Sequence, residues 1–235
     1  MKRQYLTLTL AVLTLTGGIL AAGAGHTAPP GIAGDAKGFD EVGVRLEANF
    51  TDGDAGVQFL VKGGDGLRSL QIVAPNRKAV LSLTSSDRPK LGIDEFSTES
   101  PEPDMTTALR SYPAGTYRFN GRTVDGDRLT ATAVLSHALL PNPTITVPAQ
   151  DSTGNPVTNL VVAWDPVASV ARYVVELEQD VEGGAKLVTE VSAAQNTFAI
   201  PNGFLIPGQP YKVEIGSVAL SGNISFTEHR FQTAM

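Results

Sequence analysis

Residues 159–179, "NLVVAWDPVASVARYVVELEQ", decide the fold. Leu160, Val162 and Trp164 fall on alternate positions, so an extended segment here has one apolar face. Asp165-Pro166 ends the run, because proline fixes φ and cannot donate to a ladder. Tyr173, Val175 and Leu177 then repeat the alternation. The stretch predicts two strands joined by a turn, both facing one core. Downstream, "NTFAIPNGFLIPGQPYKVEIGSVALSGN" (196–223) adds a short strand, then Leu205, Pro207, Gly208 and Tyr211. Val213 and Ile215 alternate after that tyrosine.

The same period of two runs through the N-terminal half. "VGVRLEANF" (42–50) sets Val42, Val44, Leu46, Ala48 and Phe50 on alternate positions. "VQFLVKG", "SLQIVAP" and "AVLSLTS" are three further runs, and "KGGDGLRS" (62–69) reads as a turn between the first two. "GTYRFNGRTV" and "LTATAVLSH" are joined by Asp-Gly-Asp at 125–127 and read as a hairpin. Only "IDEFSTESPEPDMTTALRSYPAG" lacks strand character. Asp104 is placed to cap a short helix over 104–111, and the acidic run 94–104 reads as a solvated loop. Pro141, Pro143, Pro148 and Pro156 mark a composition shift that puts a boundary near Leu140. Residues 41–140 and 141–235 are each the size of one β-sandwich.

Trp164 on one strand, Tyr173 on the next, and the Leu-x-Pro-Gly-x-x-Tyr spacing of Leu205 to Tyr211 resemble the fibronectin type III family over residues 143–234. That resemblance implies that Trp164 is buried between two sheets and that Tyr211 forms a tyrosine corner, its hydroxyl bonded to backbone upstream. "YPAGTYRFNGRTVDGD" is similar to the late strands of immunoglobulin-like domains, with Tyr117 and Phe119 inward. The pair is similar to a group of exported bacterial proteins without assigned activity. The expected fold is all-β: two tandem immunoglobulin-like and fibronectin type III-like β-sandwiches.

The N-terminus reads as a targeting segment. Lys2 and Arg3 precede a run from Tyr5 to Leu20 that is apolar apart from threonines and Gly17-Gly18, and Ala22-Gly23-Ala24 fits the small-x-small cleavage rule. Cleavage after Ala24 is expected, with Ala28 the alternative, leaving residues 25–40 as a leader rich in Gly, Ala and Pro. The run is short and broken by Thr and Gly, against a membrane span, with an uncleaved anchor the alternative. The mature chain is expected to be secreted, periplasmic or at the cell surface. There is no cysteine, so neither disulfides nor a cysteine-linked lipid applies. The chain has 18 Lys and Arg against 24 Asp and Glu; loss of Lys2 and Arg3 moves the net charge from −6 to −8. That balance repels phosphate backbones, so nucleic acid is not an expected partner.

Signals of chemistry are few. Calcium wants several oxygen ligands around one point. In "TDGDAGV" (51–57) Asp52 and Asp54 offer two, and Asp65, Asp125 or Asp127 would have to join them. The third acid and distal glutamate of an EF-hand loop are missing. Both Asp-Gly-Asp triplets read as turns, with calcium on Asp52 and Asp54 the alternative. His26, His137 and His229 stand apart from one another and from any cysteine, against a transition-metal site. No Gly-x-Ser-x-Gly elbow and no Gly-Lys-Ser/Thr phosphate loop occurs; Ser217 reads as a strand residue. Asn49-Phe50-Thr51 and Asn223-Ile224-Ser225 match the N-glycosylation pattern, which chance also supplies. The sequence therefore points to a non-catalytic binding, adhesion or spacer module whose partner is a protein or a surface glycan. An extracellular hydrolase or metal-dependent enzyme with its site at the domain junction is the alternative.

Overall fold

The computed structural model describes residues 38–86 and 91–235, so the targeting segment and nearly all of the leader lie outside the described residues. The N-terminal sandwich is built on one long strand. It contains β1 (Glu41–Asn49), β2 (Asp54–Val73), β3 (Ala79–Thr84), β4 (Ile93–Glu99), α1 (Met105–Ser111), β5 (Gly115–Thr123) and β6 (Arg128–Leu135). The first half of β2 lies between β1 and β4, and its second half between β3 and β5. One strand therefore serves both layers.

Two sequence readings are corrected here: Ile93–Glu99, within the stretch read as a solvated loop, is a strand paired with β2, and at 62–69, read as a turn, the chain bends but does not reverse. Gly64 and Gly66 take positive φ of 58° and 78°, a region that costs a residue with a Cβ about 1–2 kcal/mol. A Cβ on Gly63 would lie 2.6 Å from Leu67 Cγ and 2.9 Å from the Ile93 carbonyl oxygen. The glycines are there for the bend and for close approach. Val42, Val44, Leu46, Val57, Phe59, Val61, Tyr117, Phe119, Leu129 and Leu135 fill the core between the layers. The helix is capped as its sequence predicts, with the Asp104 carboxylate accepting from Thr107 N at 3.1 Å.

The C-terminal sandwich comprises β7 (Ile145–Val147), β8 (Ser152–Asn155), β9 (Val161–Trp164), β10 (Arg172–Gln179), β11 (Lys186–Ser192), β12 (Thr197–Ala199), β13 (Pro210–Val218) and β14 (Ile224–Thr233). One layer runs β12-β9-β7 and the other β11-β10-β13-β14, with β8 alongside β14. Trp164 is buried and meets Tyr173 edge to face, ring centroids 5.2 Å apart. The Tyr211 hydroxyl accepts from Ile206 N at 2.9 Å and donates to the Phe204 carbonyl at 3.3 Å, closing a tyrosine corner. Tyr117 makes the corresponding bond in the first sandwich, to the Pro113 carbonyl at 3.1 Å. The fold is thus all-β with two sandwich cores, and the second has the buried tryptophan and the tyrosine corner expected from its sequence.

The two sandwiches are not beads on a string. β1 pairs in parallel with β14 through Glu47–Ile224, Ala48–Ser225 and Asn49–Phe226. Among the described residues this joins β1–β6 of the first sandwich to β8, β10, β11, β13 and β14 of the second in one continuous sheet of 11 strands.

Candidate functional site

That seam is the most distinctive polar feature of the molecule, and three groups of residues make it. The first is the strap that leaves β6. Its carbonyls would be orphaned beside β13 and β14, and side chains take them up one by one. Asn223 Nδ2 donates to the Ser136 and Ala138 carbonyls at 2.8 Å each, Ser225 Oγ to Leu140 at 2.7 Å, and Ser217 Oγ to Pro141 at 2.8 Å. Asn223 also accepts from Leu46 N at 2.9 Å, so one buried amide ties β1, the strap and β14 together. Asn223 is 1% exposed. A glycan cannot attach there without unfolding the seam, so Asn223 is a structural residue.

The second group is the turn after β1. Asn49 Oδ1 accepts from Thr51 N at 2.9 Å and from Asp52 N at 3.3 Å, and Gly53 takes φ of 75°. The aspartates do not organise this turn; Asn49 does. Its tip docks on the second sandwich. Phe50 N donates to the Phe226 carbonyl at 3.0 Å, and Thr51 Oγ1 accepts from Glu228 N at 2.9 Å. Asp52 receives only a long bond from Asn49 Nδ2, at 3.4 Å. Burial raises the Asp54 pKa, and the neighbouring Asp52 and Glu228 carboxylates raise it further. Among the described residues no group of three or more His, Asp or Glu converges as a metal would require. The side chain of Asp65 lies outside the described residues, and the turn at 125–127 is a separate hairpin tip.

The third group is charged. Along the outer face of the joined sheet, Arg45 Nη2 meets Glu47 at 2.8 Å, Lys186 meets Glu176 at 2.7 Å, and Lys212 meets Glu214 at 2.8 Å. Arg230 Nε meets Glu228 at 3.0 Å. Glu47, Glu176, Glu214 and Glu228 are all buried, and buried carboxylates are tolerated only when paired and hydrogen-bonded. Burial works against the Lys212 ammonium, yet Glu214 and Glu228 outweigh it and hold its pKa above the usual lysine range. Glu214 and Glu228 are pushed upward, by burial first.

His26 lies outside the described residues, and the two described histidines do not join this cluster. His137 Nε2 lies 2.8 Å from the Tyr112 carbonyl and His229 Nδ1 3.0 Å from that of Pro148. Ser217, Asn223, Ser225 and the four glutamates were not legible as a group. The available hint was small polar residues interrupting apolar strands in "IGSVALSGNIS".

No family model matches the chain, and no curated protein does. Solved structures do. The fibronectin(III)-like modules of Clostridium thermocellum CbhA align over 85% of this chain and 94% of theirs, at 9% identity and a TM-score of 0.35. Chicken CNTN1 FN1–FN3 domains align over 88% of this chain and 66% of theirs, at 17% identity and a TM-score of 0.34. A two-domain fibronectin type III segment of chicken tenascin aligns over 85% and 98%, at 14% identity and a TM-score of 0.31.

Proposed function

We propose that the chain is an exported, non-catalytic module in which two sandwiches, residues 41–140 and 141–235, act as one rigid spacer that presents loops and sheet faces to a partner. The observation that carries this reading is the parallel pairing of β1 with β14, reinforced by the clasped strap. Domains joined by a free linker move relative to one another. Here the linker's carbonyls are spoken for, and main-chain bonds cross the seam. The junction carboxylates pair with Arg45, Lys186, Lys212 and Arg230, which supports a structural role for them over an acid–base one. Among the described residues no helix is long and apolar enough to cross a membrane.

The test is rotational diffusion by NMR relaxation. A rigid pair gives one tumbling time for both sandwiches, about that of a 200-residue body. Two distinct, shorter times would remove the spacer reading. Cross-linking in an envelope or extracellular fraction would then identify the partner, a protein or a surface glycan.

A further inference from the structure

Along the seam and through the second sandwich the cations are paired: Arg45, Arg172, Lys186, Lys212 and Arg230 each meet a glutamate. The arginines of β5 and β6 are treated differently. Among the described residues, Arg118, Arg122 and Arg128 take part in no ion pair. All three are exposed, and they alternate with Tyr117, Phe119 and Leu129, which point into the core. They therefore share the outer face of the layer. Register sets them in rows across the strands. Arg128 stands opposite Arg122, and Arg122 opposite Ser69 of β2. The next outward row is Thr130, Asn120 and Gln71. Arg118 follows on β5, opposite Val73. The acids nearest in sequence, Asp125 and Asp127 at the hairpin tip, pair with none of the three arginines.

Two like charges directly opposite on one sheet face, their Cβ atoms about 5 Å apart, repel. The fold carries that repulsion at exposed positions where a neutral side chain would relieve it. Carboxylates from a ligand would offset it, since a guanidinium offers a planar carboxylate two parallel N–H···O bonds. The spacing adds to this. Arg118 and Arg122 are four residues apart, about 13 Å along the strand, and the row between them offers amides and a hydroxyl but no charge. A polymer whose carboxylates are separated by hydroxyl-bearing units fits that alternation. Protein partners are held by aromatic and other bulky anchors, and Val134 is the one large exposed apolar side chain of β5 and β6. A densely charged phosphate chain meets the net negative charge of the whole molecule.

We propose that the outer face of β5 and β6 binds an acidic polysaccharide, with uronate-type carboxylates on Arg118, Arg122 and Arg128 and sugar hydroxyls on the neutral row between them. This names the partner class of the presenting module proposed above and rests on that reading.

Titration of the full chain with sodium polygalacturonate, followed through NMR amide shifts, tests it. The shifts should centre on β5, β6 and the second half of β2. Affinity should fall on the order of tenfold between 50 mM and 200 mM salt. Arg118→Gln and Arg128→Gln should each weaken binding about three- to fivefold, while Arg110→Gln, on the helix, leaves it unchanged. Arg128→Gln should also raise the melting temperature by about 1–3 °C, because it removes the opposed charge. No binding, shifts centred elsewhere, equal binding of neutral dextran, or a lowered midpoint in Arg128→Gln overturns the proposal and leaves the rigid spacer standing. Tighter binding of polyglutamate or duplex DNA overturns it too, in favour of a protein or a nucleic acid. Release of new reducing ends from the bound polymer would instead remove the non-catalytic reading and keep the face.

Discussion

Asp-Gly-Asp occurs at 52–54 and again at 125–127. Both copies turn the chain, with glycine at positive φ of 75° and 99°. Their surroundings differ. At the second, Thr123 Oγ1 accepts from Asp127 N at 3.0 Å and Arg122 donates to the Gly126 carbonyl at 2.9 Å, all within one hairpin. At the first, Phe50 and Thr51 reach out of the hairpin and bond β14 of the other sandwich. The tripeptide dictates reversal. What the reversal is used for depends on the residues before it and on which strand lies alongside.

The comparison breaks most severely at Asn223, which has no counterpart near 125–127. Asn223→Ala would strand Leu46 N and the Ser136 and Ala138 carbonyls. Each unsatisfied buried group costs about 1–3 kcal/mol, so we expect a loss of about 3 kcal/mol in denaturant unfolding. Asp127→Ala, at an exposed tip, should stay within about 0.5 kcal/mol. Equal losses from the two substitutions would mean that the seam contributes nothing special.

Thr51→Val and Thr123→Val sharpen the contrast. Each removes one hydroxyl that accepts from a backbone N–H, and each should cost about 1–1.5 kcal/mol. The cost should appear in different places. Thr51→Val should lower exchange protection at the seam, whereas Thr123→Val should act only in the β5–β6 hairpin. Gly53→Ala and Gly126→Ala should cost about 1 kcal/mol each, because a Cβ at either meets nothing within 4 Å and only the positive φ opposes it. Unequal penalties there would show that the two turns differ in backbone geometry as well as in docking.

These contrasts also mark what the sequence could reveal. Alternation located the cores, Trp164, Tyr173 and Tyr211 located the second sandwich, and Asp104 located the helix start, since each signal is local and periodic. The glycines at 63–66 suit a reversal and a bend equally, and only the pairing of each half of β2 tells them apart. The seam was out of reach for a different reason. Parallel pairing needs no turn between its strands, and the contact from Leu46 to Asn223 spans 177 positions. The Asn223-Ile224-Ser225 pattern does not point to this role, because a tripeptide carries no information about burial.

The smallest expected effect bears on the metal alternative. The Asp54 carboxyl is partly buried beside Asp52 and Glu228, and its pKa is raised above 3.8. At neutral pH its charge therefore works against the folded state, by an amount that solvent screening holds to a few tenths of a kcal/mol. Asp54→Asn should raise the melting temperature slightly at pH 7, and the gain should disappear as pH falls and the wild-type carboxyl takes up its proton. A bound calcium ion predicts the reverse. Asp52 and Asp54 would then be ligands, millimolar calcium would raise the wild-type melting temperature, and Asp54→Asn would abolish that rise. Two carboxylates beside a turn organised by Asn49 are too few to hold such an ion. We therefore expect the wild-type midpoint to be the same with and without calcium, and the small gain from Asp54→Asn to persist in both.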